Sequence, residues 1–113
     1  MRYLMGIDNG GTFSKAALFD ENGVQISVAS VPTVTLTPKP GYTERDMEEM
    51  WEANCQVIRR ALEKAGVTGK DIVCVAVCGH GKGLYLWGKD CGRVLFRAWK
   101  RSVSGRKRRK TRL

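Results

Sequence analysis

The spacing of apolar residues changes character several times along the chain. Residues 3–7 form an apolar run, the polar segment Asn9-Gly10-Gly11-Thr12 interrupts it, and residues 16–19 resume it. That pattern predicts two strands joined by a tight turn. Asn22-Gly23 then marks a second hairpin, because both residues tolerate the positive φ that a type I′ turn demands. Beyond it Val24, Ile26 and Val28 alternate with other residues, which predicts a third strand burying the face that carries these three. The opening reads as three antiparallel strands.

Pro32, Pro38, Pro40 and Gly41 exclude regular structure from the connection that follows, which reads as a loop. The next element is the best marked. Asp46 with Glu49 three residues later resembles a capping box, acids crowd the first turn, and Gly66 is placed to end the helix. Met47, Met50, Trp51, Cys55, Ile58, Ala61, Leu62 and Ala65 recur at helical spacing, which predicts a core-facing stripe. After Gly69, residues 72–77 are continuously apolar and rich in valine, the pattern of a strand buried on both faces. Gly79-His80-Gly81-Lys82-Gly83 forms a glycine-rich turn. Apolar residues 84–87, a turn over 88–92 and a short apolar run at 94–96 then predict two further strands. The order, three strands, a helix, a strand and a last strand pair, places the chain in the α/β class.

The composition reinforces a single small domain. A chain of 113 residues is too short for two lobes with a cleft between them. Its apolar runs fall far short of the ~18 residues that cross a bilayer, and residues 1–8 lack the apolar core of a secretory signal, so a cytoplasmic location without a membrane partner is expected. The four cysteines, Cys55, Cys74, Cys78 and Cys91, contain no Cys-x-x-Cys pair, and the single histidine is not at zinc-finger spacing. Cys55 and Cys74 read as small core residues in a reducing compartment. The net charge of +9 is unevenly distributed. Residues 1–92 carry 10 Lys and Arg against 11 acids, a net of −1, whereas 93–113 carry 10 Lys and Arg and no acid. The basic character belongs to the tail. From residue 98 the apolar pattern ends, and Arg106-Lys107-Arg108-Arg109-Lys110 predicts a disordered segment over 98–113.

Two segments carry candidate chemistry. In Gly6-Ile7-Asp8-Asn9-Gly10-Gly11-Thr12-Phe13-Ser14-Lys15 an acid at a strand end precedes two glycines, a hydroxyl and a lysine. Such a turn lets backbone N–H groups approach an anion, Thr12 adds a donor, and Asp8 suits a hydrated Mg²⁺; it is equally the composition of a plain hairpin turn. The glycine-rich turn at residues 79–83 follows the carboxyl end of a strand, where open α/β sheets bind ligands, and His80 and Lys82 there suit a small hydroxylated molecule. A surface loop with an incidental lysine has the same sequence. Neither segment has the spacing of a Walker loop or a dinucleotide fingerprint.

Residues 6–20 closely resemble the amino-terminal phosphate motif of the FGGY carbohydrate kinases. Two more segments agree in order: Pro40-Gly41-Tyr42-Thr43-Glu44-Arg45-Asp46 is similar to that family's Gly-aromatic-x-Glu-x-Asp stretch, and residues 77–84 are similar to its sugar-side loop. The Gly81-Lys82-Gly83 form resembles the L-xylulose kinase-like branch. The resemblance covers roughly residues 3–97. It implies a ribonuclease-H-like, actin-like amino-terminal lobe over 1–97, truncated and followed by the basic tail. It also implies ATP and Mg²⁺ approached by Asp8, Gly10, Gly11, Thr12 and Lys15, with Asp8 as the metal-side carboxylate. A pentulose-type sugar would lie near His80, Gly81, Lys82 and, in the loop before the helix, Glu44.

The resemblance stops abruptly. Where the family carries Trp-x-Asp-x-Arg, Trp99 is followed by Lys100-Arg101-Ser102-Val103, and no acid follows Asp90. The family's catalytic aspartate and adenosine-binding lobe lie further on. Because phosphoryl transfer depends on positioning and charge neutralisation, this chain alone is expected to show no turnover. The expected origin of the acid-free end is a disrupted reading frame, in which case Trp-x-Asp-x-Arg would be recovered in another frame downstream. The competing expectation is a small basic protein whose tail attracts nucleic acid without reading its sequence. Neither the sugar nor the oligomeric state is legible here.

Overall fold

The computed structural model of the chain describes residues 1–81, 84–85 and 95–98. Strands β1 (Tyr3–Asn9), β2 (Phe13–Phe19) and β3 (Gln25–Pro32) form the expected antiparallel meander. A short strand β4 (Thr43–Asp46) leads directly into helix α1 (Met47–Ala65), and a 3-10 turn (Gly69–Asp71) delivers the chain into β5 (Ile72–Gly79). β5 returns parallel to β1, which completes a four-stranded sheet of order β3-β2-β1-β5. Strands β6 (Leu84–Tyr85) and β7 (Leu95–Ala98) join β4 in a three-stranded sheet of order β4-β7-β6. The expected turn at 88–92, the cysteine at 91 and all of the expected tail beyond residue 98 lie outside the described residues.

Local chemistry explains the joints. Asp20 Oδ1 accepts from the amides of Asn22 and Val24, both at 2.9 Å, and Gly23 takes a φ of 80°, which closes the β2–β3 hairpin. The Asp46 carboxylate caps α1 by accepting from the amides of Glu48 and Glu49 at 2.8 and 3.1 Å. Gly66 ends it with a φ of 64°. At the 3-10 turn the Thr68 hydroxyl and amide both donate to Asp71 Oδ2, at 2.8 and 3.1 Å, and these bonds hold the Asp71 carboxyl below its ordinary range.

α1 packs mainly on β2 and β3. The core beneath it is built from Ala16, Ala29, Val31, Val57 and Ala61, and the small side chains let helix and sheet approach closely. Ser27 is buried in this face, where its hydroxyl donates to the Ala61 carbonyl at 2.7 Å and so is not left unsatisfied.

Four expectations are corrected here. The face of β3 that packs is Ser27, Ala29 and Val31, whereas Val24, Ile26 and Val28 are 56, 43 and 42% exposed. Alternation establishes two faces, and the helix took the one with smaller residues. β5 is not buried on both faces: Val73, Val75 and Val77 are 53, 52 and 67% exposed, and Cys74 is exposed rather than core. β5 lies at the sheet edge while α1 sits over the opposite half. In the helical stripe Trp51 points outward at 69% exposure, and Val57, one position off the expected stripe, is fully buried. Finally, the connection read as a loop without regular structure has Pro32 as the last residue of β3 and leads into β4, anchored by paired hydrogen bonds between Leu36 and Glu44. Among the described residues no helix is long and apolar enough to cross a membrane.

Candidate functional site

The β1–β2 turn stands at one end of the larger sheet, beside the carboxyl end of β5. Asp8 lies opposite Lys15 on β2 and opposite Cys78 on β5, so the three occupy one face of the sheet, the face away from α1. Side chains that share a register position across adjacent strands are near neighbours. The Cys78 thiol is pushed above its ordinary value by desolvation, then by its hydrogen bond to Asp8 and by that residue's charge. Lys15 places its ammonium 5.8 Å from the centre of the Phe13 ring.

The turn is compact. Gly10 N donates to Phe13 O at 3.0 Å, and a Cβ on Gly10 would lie 2.7 Å from that oxygen and 3.5 Å from Asp8 Oδ1. A Cβ on Gly11 would lie 2.8 Å from Cδ2 and 3.1 Å from Nε2 of His80. Hence the histidine at the end of β5 abuts the turn itself, and both glycines are there because neighbouring atoms occupy the space of a side chain.

Several residues that the sequence reading did not single out surround the turn. Arg45, on β4, is only 4% exposed and donates from Nη1 to Gly10 O at 2.8 Å. Thr33 donates its hydroxyl to Gly11 O at 3.1 Å and its amide to Thr12 O at 2.9 Å. From α1, Asn54 donates to Asn9 Oδ1 at 3.2 Å, and Ser14 reaches the same oxygen at 3.4 Å. No periodic signal marks these positions. Only the place of Arg45 between Glu44 and the capping Asp46 hinted at it.

Among the expected residues, Asp8, Gly10, Gly11, Thr12, Lys15 and His80 converge at this end of the sheet. Gly81 follows His80 and is exposed. Glu44 is half-buried on β4, and strand alternation sets it on the face opposite Arg45. Lys82 lies outside the described residues. The groove of about 500 Å³ between α1 and the end of β3, lined by Val31, Met50, Ala53, Arg59 and others, contains none of the expected residues.

A single carboxylate at the turn fits a magnesium ion that keeps most of its water and takes its remaining ligands from bound phosphates. It does not fit an all-protein cage. Among the described residues no group of three His, Cys, Asp or Glu side chains is placed to hold a metal.

The model of the FGGY family of carbohydrate kinases, N-terminal domain, matches residues 3–106. The chain is 42% identical over 89 residues to the L-xylulose/3-keto-L-gulonate kinase of Escherichia coli, covering 79% of this chain and 18% of that protein. It is 41% identical over 90 residues to a probable L-xylulose kinase of Haemophilus influenzae, covering 80% and 19%. In three dimensions it is similar to a ligand-bound xylulose kinase from Lactobacillus acidophilus, with a TM-score of 0.76 at 24% identity, over 87% of this chain and 19% of that one. The chain thus spans about a fifth of the length of the curated relatives it matches. The nucleic-acid alternative gains no support from these matches.

Proposed function

The chain belongs to the FGGY family of carbohydrate kinases, and on that premise we propose that it supplies the phosphate-side turn and part of the sugar-side loop of an ATP-dependent kinase acting on a pentulose-type sugar. The observation that carries this reading is the contact between His80 and Gly11. It makes the two segments neighbours, as a reaction between a nucleotide phosphate and a sugar hydroxyl requires.

The roles follow from position. Asp8, exposed at the end of β1, would hold a water-rich Mg²⁺ accompanying the nucleotide, which would neutralise phosphate charge there. Gly11 and Thr12 present backbone and hydroxyl donors to phosphate oxygens, Gly10 lets the turn close tightly enough for that approach by donating to Phe13 O, and Lys15, opposite Asp8, adds positive charge beside them. His80 and Gly81 face the sugar, with Glu44 as an outlying neighbour; Lys82, outside the described residues, is assigned to the sugar side only by the family resemblance. ATP supplies the transferred phosphoryl group. The complete reaction is assigned to a chain that carries the family's other segments as well, and the residues described here bind without turning over.

Titration of the isotopically labelled chain with MgATP tests this. Amide shifts are expected at Gly10, Gly11, Thr12 and Lys15, weakened by Asp8→Asn and by Lys15→Ala, with no ATP consumed in the presence of a ketopentose panel. Shifts absent from the turn would refute the phosphate-side assignment, and ATP consumption above background would refute the lack of turnover.

A further inference from the structure

We infer that Arg45 and Thr33 are positioning residues that set the direction of the Gly11 and Thr12 amides, making the turn an outward-facing donor surface. The inference deepens the phosphate-side reading and rests on it for the identity of the ligand. It starts from peptide geometry: in a trans peptide the carbonyl of one residue and the N–H of the next point in opposite directions. The described chain contains no cis peptide. Arg45 Nη1 holds the Gly10 carbonyl at 2.8 Å, so the Gly11 N–H points away from Arg45. Arg45 is 4% exposed, whereas Gly11 is half-buried and Thr12 exposed. The Thr33 hydroxyl likewise holds the Gly11 carbonyl at 3.1 Å, which turns the Thr12 N–H away from Thr33.

The remaining turn groups are already committed. Gly10 N donates to Phe13 O, and Thr12 O accepts from Thr33 N. Neither the Gly11 nor the Thr12 amide donates to another group among the described residues, so both remain available to a ligand. A glycine-rich turn without these contacts is free to rotate its peptides, because glycine accepts most combinations of φ and ψ. Each clamp therefore selects one orientation out of several. Both clamping groups reach the turn from outside the hairpin, Thr33 from just beyond β3 and Arg45 from β4. Preorganisation of this kind lowers the cost of ordering donors when the ligand arrives.

The test uses the full chain and inorganic pyrophosphate. Residual dipolar couplings report the N–H directions of Gly11 and Thr12 without any ligand, and thermal unfolding controls for the fold. Arg45→Met is expected to change the Gly11 coupling and Thr33→Val the Thr12 coupling, each weakening pyrophosphate about tenfold, the loss of one good hydrogen bond. Arg45→Lys and Thr33→Ser, which keep a donor, are expected to recover much of both. Couplings that stay unchanged in a folded donorless variant overturn the positioning role. If Arg45→Met does not fold, Thr33→Val with its Thr12 coupling decides. Couplings that change in the variants, in a chain whose wild-type turn ignores pyrophosphate, leave the clamp standing and refute the phosphate reading instead.

Discussion

At Gly10 the backbone has no room for a methyl group. The Phe13 carbonyl oxygen would lie 2.7 Å from a Cβ there, and that oxygen belongs to the turn's own backbone. Gly10→Ala must open the turn and lose the bond from Gly10 N to Phe13 O. We expect a cost of about 1–3 kcal/mol, read as a lowered urea midpoint at unchanged slope. Gly11 differs, because the atoms in the way belong to the His80 ring, whose side chain can swing aside. The same substitution there trades stability for position, driving the imidazole off the turn.

Helix α1 is bracketed by two local devices, the Asp46 carboxylate at its start and the left-handed Gly66 at its end. The Asp46 cap matters beyond the helix, since Asp46 is also the last residue of β4 and directly follows the clamping Arg45. Asp46→Ala is expected to cost about 1 kcal/mol in chemical denaturation. Asp46→Asn, which retains the acceptor, is expected to recover most of it. Hydrogen exchange should show whether the loss stays in the first helical turn or spreads to the Gly10–Gly11 peptides through β4. Against β3, the same helix illustrates how an element selects its partner face: it packs where Ala29 and Ser27 permit close approach, not where the larger Ile26 and Val28 stand.

Among the described residues the larger sheet is only half covered. α1 shields β2 and β3, while Val73, Val75 and Val77 on β5 and Leu4 on β1 remain substantially exposed. An exposed valine-rich strand at a sheet edge is a template for association. The purified chain is expected to self-associate with rising concentration in sedimentation. A Val75→Lys, Val77→Lys double variant should shift it towards monomer without altering the β1–β2 turn. A wild-type chain that stays monomeric at high concentration would contradict this.

The hairpins, the helix with its caps and the glycine turn were legible in the sequence because each depends on neighbours within a few residues: a left-handed glycine, a carboxylate reaching an amide two positions on, an apolar period. The family, too, was legible from three short segments in order. Tertiary structure alone decided which face of β3 packs, that β5 stays open, that β4 exists and that Arg45 and Thr33 hold the turn. Each of those outcomes joins residues distant along the chain, such as Leu36 with Glu44 and Arg45 with Gly10. Burial and hydrogen-bond partnership are properties of what arrives opposite a residue, and a one-dimensional pattern records only the residue.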